Sequence, residues 1–166
     1  AKRKLLIIGW DAADWQHLQP LMQQGLMPTF SRLVAGGASG NLATLDPPFS
    51  PMLWTSIATG KTGDEHGILG FIEPDPETGG VRPINSTSRK QRAFWNILHH
   101  AGLRSLVCGW WPSHPAEPIR GAMVSNWYQK GYRAWGQPWP LAPGSVQPPS
   151  LEDALAELRL HPTELT

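Results

Sequence analysis

KLLIIGWD, residues 4–11, is the stretch on which the fold turns. Leu5, Leu6, Ile7 and Ile8 form an unbroken apolar run between a basic start and Gly9. A continuous run of that length predicts a strand buried on both faces, as in a parallel sheet, because a half-exposed strand would alternate. Asp11 follows two residues beyond Gly9. In an open parallel sheet, ligands collect beyond the carboxyl ends of the strands, so an aspartate placed there is a candidate metal ligand. The competing role is helix capping, which Asp11 or Asp14 could perform.

Downstream, helix and strand signals alternate. DWQHLQPLMQQG carries Trp15, Leu18, Leu21 and Met22 at helical spacing, with Pro20 as a possible bend and Gly25 as a stop. PTFSRLVAGG reads as a second helix with Pro28 at its beginning, and GNLATLDPP as a strand that ends at the prolines. EPDPETGGVRP reads as a turn-rich connection. RKQRAFWNILHHAG is a helix with Phe94, Ile97 and Leu98 on one face, and RSLVCGWW a second doubly buried strand. This order predicts an α/β fold with a largely parallel sheet flanked by helices. From Pro112 the chain turns rich in proline, glycine and tryptophan, with GAMVSNW as a candidate strand. The division expected is 1–111 as α/β core and 112–166 as the start of a covering insertion. Ser150, with Asp153 three residues on, opens a last helix through LEDALAELRL.

PPFSPMLWTSIATG, residues 47–60, poses the functional question. Proline at the first helical position costs little, so Pro51 makes Ser50 the N-cap of a helix that stops at Gly60. Helix N-termini carry unpaired N–H groups and a partial positive charge, which attract phosphate and sulfate and stabilise developing negative charge. Ser50 is either a plain cap or a nucleophile, and a nucleophilic hydroxyl requires activation by a base or a cation. Asp11 is the residue placed to hold such a cation.

Other features exclude more than they suggest. The 166 residues are 40% apolar and 16% charged, sufficient for one sizeable core, and a net charge of +1 gives no nucleic-acid footprint. One cysteine, Cys108, permits no intrachain disulfide and reads as a core thiol of a cytoplasmic protein. No apolar run approaches the roughly 18 residues that cross a bilayer. TGKT lacks the earlier glycine of a nucleotide-binding loop, since position 55 is Thr55, and GGASG reads as a helix-ending turn. NST at Asn85 has the glycosylation pattern without a secretory signal. His17, His66, His99, His100, His114 and His161 show no ligand spacing; His66 is expected to anchor the loop after the serine helix. The tryptophans are expected to supply local packing.

The joint order of KLLIIGWDAADW and MPTFSRLVAGGASGNLATLDPPFSPMLWTSIATGKTGDEHGILGF resembles the N-terminal part of the alkaline phosphatase superfamily, in its type I phosphodiesterase/nucleotide pyrophosphatase branch. The resemblance implies an alkaline-phosphatase-like fold, truncated at the C-terminus, and a metal-dependent phosphodiesterase acting through a covalent serine intermediate. It assigns Asp11 to one of two divalent cations, usually zinc, and Ser50 to the nucleophile that also meets the metal. The substrate implied is a small phosphoester. The asparagine that nucleotide pyrophosphatases carry three residues after the nucleophile is Leu53 here. Zinc takes about four ligands and these two residues supply half, so the expectation is an N-terminal piece of a longer hydrolase, inactive by itself. The alternatives are a sulfatase, phosphonate hydrolase or phosphomutase of the same fold, or a noncatalytic scaffold using the Trp-rich surface. A truncated sheet would also expose an edge through which the chain could self-associate.

Overall fold

A computed structural model of the chain describes residues 4–130 and 139–161. It falls into two compact units, Ala1–Thr44 and Leu45–Thr166.

In the first unit, the run Leu5–Ile8 takes no regular secondary structure and pairs with no strand among the described residues, and its residues are 87, 80, 51 and 72% exposed. The doubly buried strand expected here is therefore not formed: such a run needs a ladder on each side and a layer on each face, and the described residues supply neither. Helix α1, Trp15–Gln23, starts at Asp14, whose carboxylate accepts the Gln16 N–H at 2.8 Å. Pro20 lies inside it without ending it, and its carbonyl accepts the Gln24 N–H at 3.0 Å. Helix α2, Pro28–Gly36, begins at proline as expected, and Phe30 on it stacks with Trp10 and packs on Trp15 at centroid distances of 5.6 and 6.1 Å. NLATLDPP, expected as a strand, carries no ladder and is exposed.

The second unit opens with α3, Ser50–Thr59, and a single turn α4, Gly63–His66. The connection that follows is a hairpin, not a plain turn: β1, Ile72–Pro74, pairs antiparallel with β2, Val81–Pro83, and Glu73 opposite Arg82 forms an ion pair at 2.8 Å. Helix α5, Phe94–His100, precedes β3, Ser105–Cys108. Strand β4, Gly121–Val124, lies parallel to β3, and β5, Val146–Gln147, lies antiparallel to β4, giving the order β3-β4-β5. Both β4 and β5 come from the Pro- and Trp-rich stretch beyond residue 112 and join the sheet of β3. The α/β class holds, while the largely parallel sheet is represented among the described residues by the β3–β4 pair alone.

The core of this unit gathers Ala58 of α3, Ala93 and Trp95 at α5, Val107 of β3, Met123 of β4 and Ala116 from the connection between the two strands, with Phe94, Trp110 and Ile119 against them. On α5 the inward residue is Trp95, fully buried, whereas Ile97, expected inside, is 55% exposed. An indole that buries its ring and donates its N–H outranks an aliphatic side chain for the inner position. Along β3 only one face is covered: Val107 is buried, Leu106 is 81% exposed and Cys108 is an exposed free thiol. Residues two apart share a face, so Leu106 and Cys108 lie together on the uncovered side while Ser105 and Val107 face the core. The core-thiol expectation for Cys108 is thus corrected. The last helix is shorter than its sequence pattern: Ser150 falls in a turn, Pro149–Leu151, and α6 runs only Glu152–Ala156. Beyond it the amides of Leu158 and Arg159 bond three residues back, to Leu155 and Ala156, tightening the chain into a turn.

Candidate active site

Helix α3 is built to hold its first turn rigidly. Met52, Thr55 and Ala58 recur at helical spacing and are buried. Thr55 Oγ1 donates to the Pro51 carbonyl at 2.6 Å and Thr59 Oγ1 to the Thr55 carbonyl at 2.8 Å. From the sheet side, Trp110 Nε1 donates to the Trp54 carbonyl at 3.0 Å. The helix ends at Gly60, left-handed at φ 66°, whose N–H returns to the Ser56 carbonyl at 2.8 Å.

At the N-terminus the structure moves the cap by one residue. Phe49 is extended and its carbonyl accepts the first helical bond, from the Leu53 N–H at 3.0 Å. Ser50 is therefore the first helical residue and Pro51 the second, both compatible with proline at the start of a helix. N-capping, the plain alternative role for Ser50, belongs to Phe49, which has no side-chain acceptor to cap with. Ser50 is half-buried and stands where the first turn directs its N–H groups and the positive end of its dipole.

Around it, Phe49 meets Phe71 edge-on at 5.9 Å and Phe71 meets Trp111 at 5.4 Å, an aromatic wall that the sequence pattern did not reveal. Asp46, Pro47 and Met52, which flank Ser50 in sequence, border a depression of about 410 Å³ that Thr62 and Asp64 also line and that does not include Ser50. The Thr62 hydroxyl holds the Asp64 carboxyl below its ordinary value.

His66 performs the anchoring role expected of it. It is fully buried; Nδ1 accepts the Ile68 N–H at 3.1 Å and Nε2 lies 2.9 Å from Ser56 Oγ. Because Nδ1 is the acceptor, the proton of the neutral ring sits on Nε2 and is donated toward Ser56. Burial pushes its pKa below the usual histidine value, which keeps the ring neutral. With its one lone pair already engaged, His66 has no capacity to act as a base. The turn before it is held by a capping box between Thr62 and Glu65, and the Lys61 ammonium and the Thr62 amide bring the Glu65 carboxyl down to about 2.

Asp11 sits in a turn of the first unit, followed by Ala12 at φ 56°, a left-handed alanine. The cap of α1 is Asp14, so helix capping does not account for Asp11. Asp11 and Ser50 belong to different units, and each is placed here within its own. Among the described residues no group of three or more His, Cys, Asp or Glu side chains comes together to hold a metal ion. These residues do not by themselves complete a zinc site, which takes three or four protein ligands.

Comparison with known proteins decides the family. The model of the type I phosphodiesterase/nucleotide pyrophosphatase family matches residues 5–161. The chain belongs to that family. Membership of the type I phosphodiesterase/nucleotide pyrophosphatase family bears out the resemblance carried by the KLLIIGWD and PPFSPMLWTSIATG stretches and makes this a chain of a phosphoester hydrolase family. No curated protein and no solved structure gives a significant match. No helix among the described residues is long and apolar enough to cross a membrane.

Proposed function

We propose that the chain contributes the nucleophile and one metal-binding carboxylate to a hydrolase of phosphoric diesters. The observation that carries this reading is Ser50 as the first residue of a firmly anchored, ten-residue helix, in a chain of a phosphodiesterase family. Ser50 Oγ attacks phosphorus; the new O–P bond forms as the bond to the leaving alcohol breaks, that alcohol taking up a proton while the serine gives one up. Water then cleaves the phosphoserine, restoring the hydroxyl and releasing the monoester. The first turn of α3 favours the negative charge that builds on the phosphoryl oxygens.

Asp11 is the carboxylate we assign to a divalent cation, zinc by family precedent. Two supports are that Asp14 already caps α1 and that Ala12 holds a costly backbone angle beside Asp11, of the kind found at functional turns. A zinc ion would need further ligands beyond Asp11. The 166 residues alone are accordingly expected to bind zinc weakly and turn over no substrate. Leu53, where nucleotide pyrophosphatases present an asparagine amide, removes one donor to the phosphoryl oxygens and favours simple diesters over nucleotide diesters.

The test is release of p-nitrophenol from bis(p-nitrophenyl) phosphate by the product of the intact gene, with sulfate ester and monoester analogues in parallel. Ser50→Ala should reduce diester turnover to background, and turnover retained by that variant would remove Ser50 from the nucleophile role. Faster cleavage of the sulfate ester than of the diester would transfer the assignment to the sulfatase alternative.

A further inference from the structure

Residues 89–92, RKQR, put three cations into four positions just before α5. They border a depression of about 410 Å³ that does not include Ser50, a volume within the range of small-ligand sites. Arg89 is its fixed part. Its side chain is only 6% exposed; Nη2 donates to Glu117 Oε1 at 2.7 Å and to Asn96 Oδ1 at 3.2 Å, and Nε to the Gln91 carbonyl at 2.9 Å. Glu117 is the one carboxylate in the lining, and it is fully engaged: Oε1 also accepts Trp95 Nε1 at 3.0 Å, and Oε2 accepts Asn96 Nδ2 at 2.7 Å. Arg89 and Glu117 therefore cancel.

What is left is Lys90 and Arg92. Among the described residues neither makes an ion pair, and the neighbouring Glu65 carboxylate is taken by Lys61 at 2.9 Å. Lys90 is partly ordered already. Its N–H donates to the His66 carbonyl at 2.9 Å, and its stem lies so close over Gly67 that a Cβ there would come within 2.8 Å of Cδ. Restricting the stem in advance lowers the entropy lost when the ammonium engages a ligand.

We propose that this depression binds a small phosphate-bearing ligand, its dianion held between the Lys90 ammonium and the Arg92 guanidinium. Two uncompensated cations match a charge of minus two, and the guanidinium fork donates to two phosphate oxygens at once. A nucleic-acid polymer is the poorer occupant, because it requires a stripe of cations following the backbone, and here the free pair is confined to one hollow.

Isothermal titration of the 166-residue chain with inorganic phosphate, at mildly alkaline pH and low ionic strength, tests this. One site is expected, unchanged in Ser50→Ala. Arg92 is exposed and makes no hydrogen bond recorded among the described residues, so Arg92→Glu should fold normally by circular dichroism yet bind at least about tenfold more weakly, the loss expected for charge-assisted bonds. Lys90→Met keeps the stem over Gly67, removes the charge, and should weaken binding in the same direction. Absence of binding, or equal affinity in Arg92→Glu, overturns the proposal. Binding lost in Ser50→Ala but kept in Arg92→Glu also overturns it, and would place the anion at the start of α3 instead.

Discussion

Glu117→Ala should destabilise the second unit by about 2–3 kcal/mol. The figure follows from what the carboxylate satisfies: the Arg89 guanidinium at 2.7 Å, the Trp95 indole N–H at 3.0 Å and the Asn96 amide at 2.7 Å. Stranding one partner of a fully buried ion pair costs about 3–5 kcal/mol. Here Arg89 keeps its bonds to the Gln91 carbonyl and Asn96 Oδ1, and the Glu117 side chain is 21% exposed, so water can reach part of the vacated space. Those two remnants lower the cost to the bottom of the range or just under it. Glu117→Gln should cost less, about 1–2 kcal/mol, because its carbonyl still accepts from Arg89 and Trp95 while its amide faces the Asn96 amide donor to donor. Urea unfolding followed by far-ultraviolet circular dichroism measures both variants, and with a slope of about 1–3 kcal/mol per molar the alanine midpoint should fall by roughly 1–2 M. An alanine variant within about 0.5 kcal/mol of wild type would refute the view that this carboxylate organises Arg89, Asn96 and Trp95.

Other outcomes follow from the same coordinates. Burial lowers the pKa of both His66 and His114 from 6.5, so the unfolded chain takes up protons that the folded chain refuses; stability should be full above pH 6.5 and decline as pH falls from there toward the folded values, and urea midpoints that stay flat across that window would contradict this. Gly121 lies at φ 137° with the Ser105 carbonyl oxygen 1.9 Å from where a Cβ would be, so Gly121→Ala should cost about 3 kcal/mol or more by forcing apart the first rung of β3 and β4. Gly60→Ala has open space around it and only the left-handed angle to bear, so thermal denaturation should show a loss of about 1 kcal/mol.

Helices α2 and α3 were legible because proline and glycine punctuate them at positions where backbone chemistry leaves little choice: Pro28 and Gly36 for one, Pro51 and Gly60 for the other. Even so the serine cap was displaced by a residue, since proline is tolerated at either of the first two helical positions and the sequence does not say which. The strands were harder. Leu5–Ile8 has the composition of a central strand, but composition reports what a segment could bury, and burial depends on neighbours that local pattern does not contain. The hairpin of β1 and β2 was hidden because each strand is three residues long and ends in proline, a residue that argues against strand. At the candidate site, the His66 anchor could be read from proximity in sequence to α3, and the aspartate that caps α1 was one of two named. The Arg89–Glu117 pairing could not be read, because its partners are 28 residues apart and nothing in either segment's periodicity refers to the other.

The rings of Trp54, Phe94, Trp95 and Trp110 lie edge to face with centroids 5.0–5.7 Å apart, and one of them is tied by its N–H to the backbone of the serine helix. Indoles held that close and at steep angles couple their electronic transitions, so the cluster constitutes a built-in chiroptical gauge. Its near-ultraviolet signal would register any loosening of the helix that bears Ser50 without a label being added.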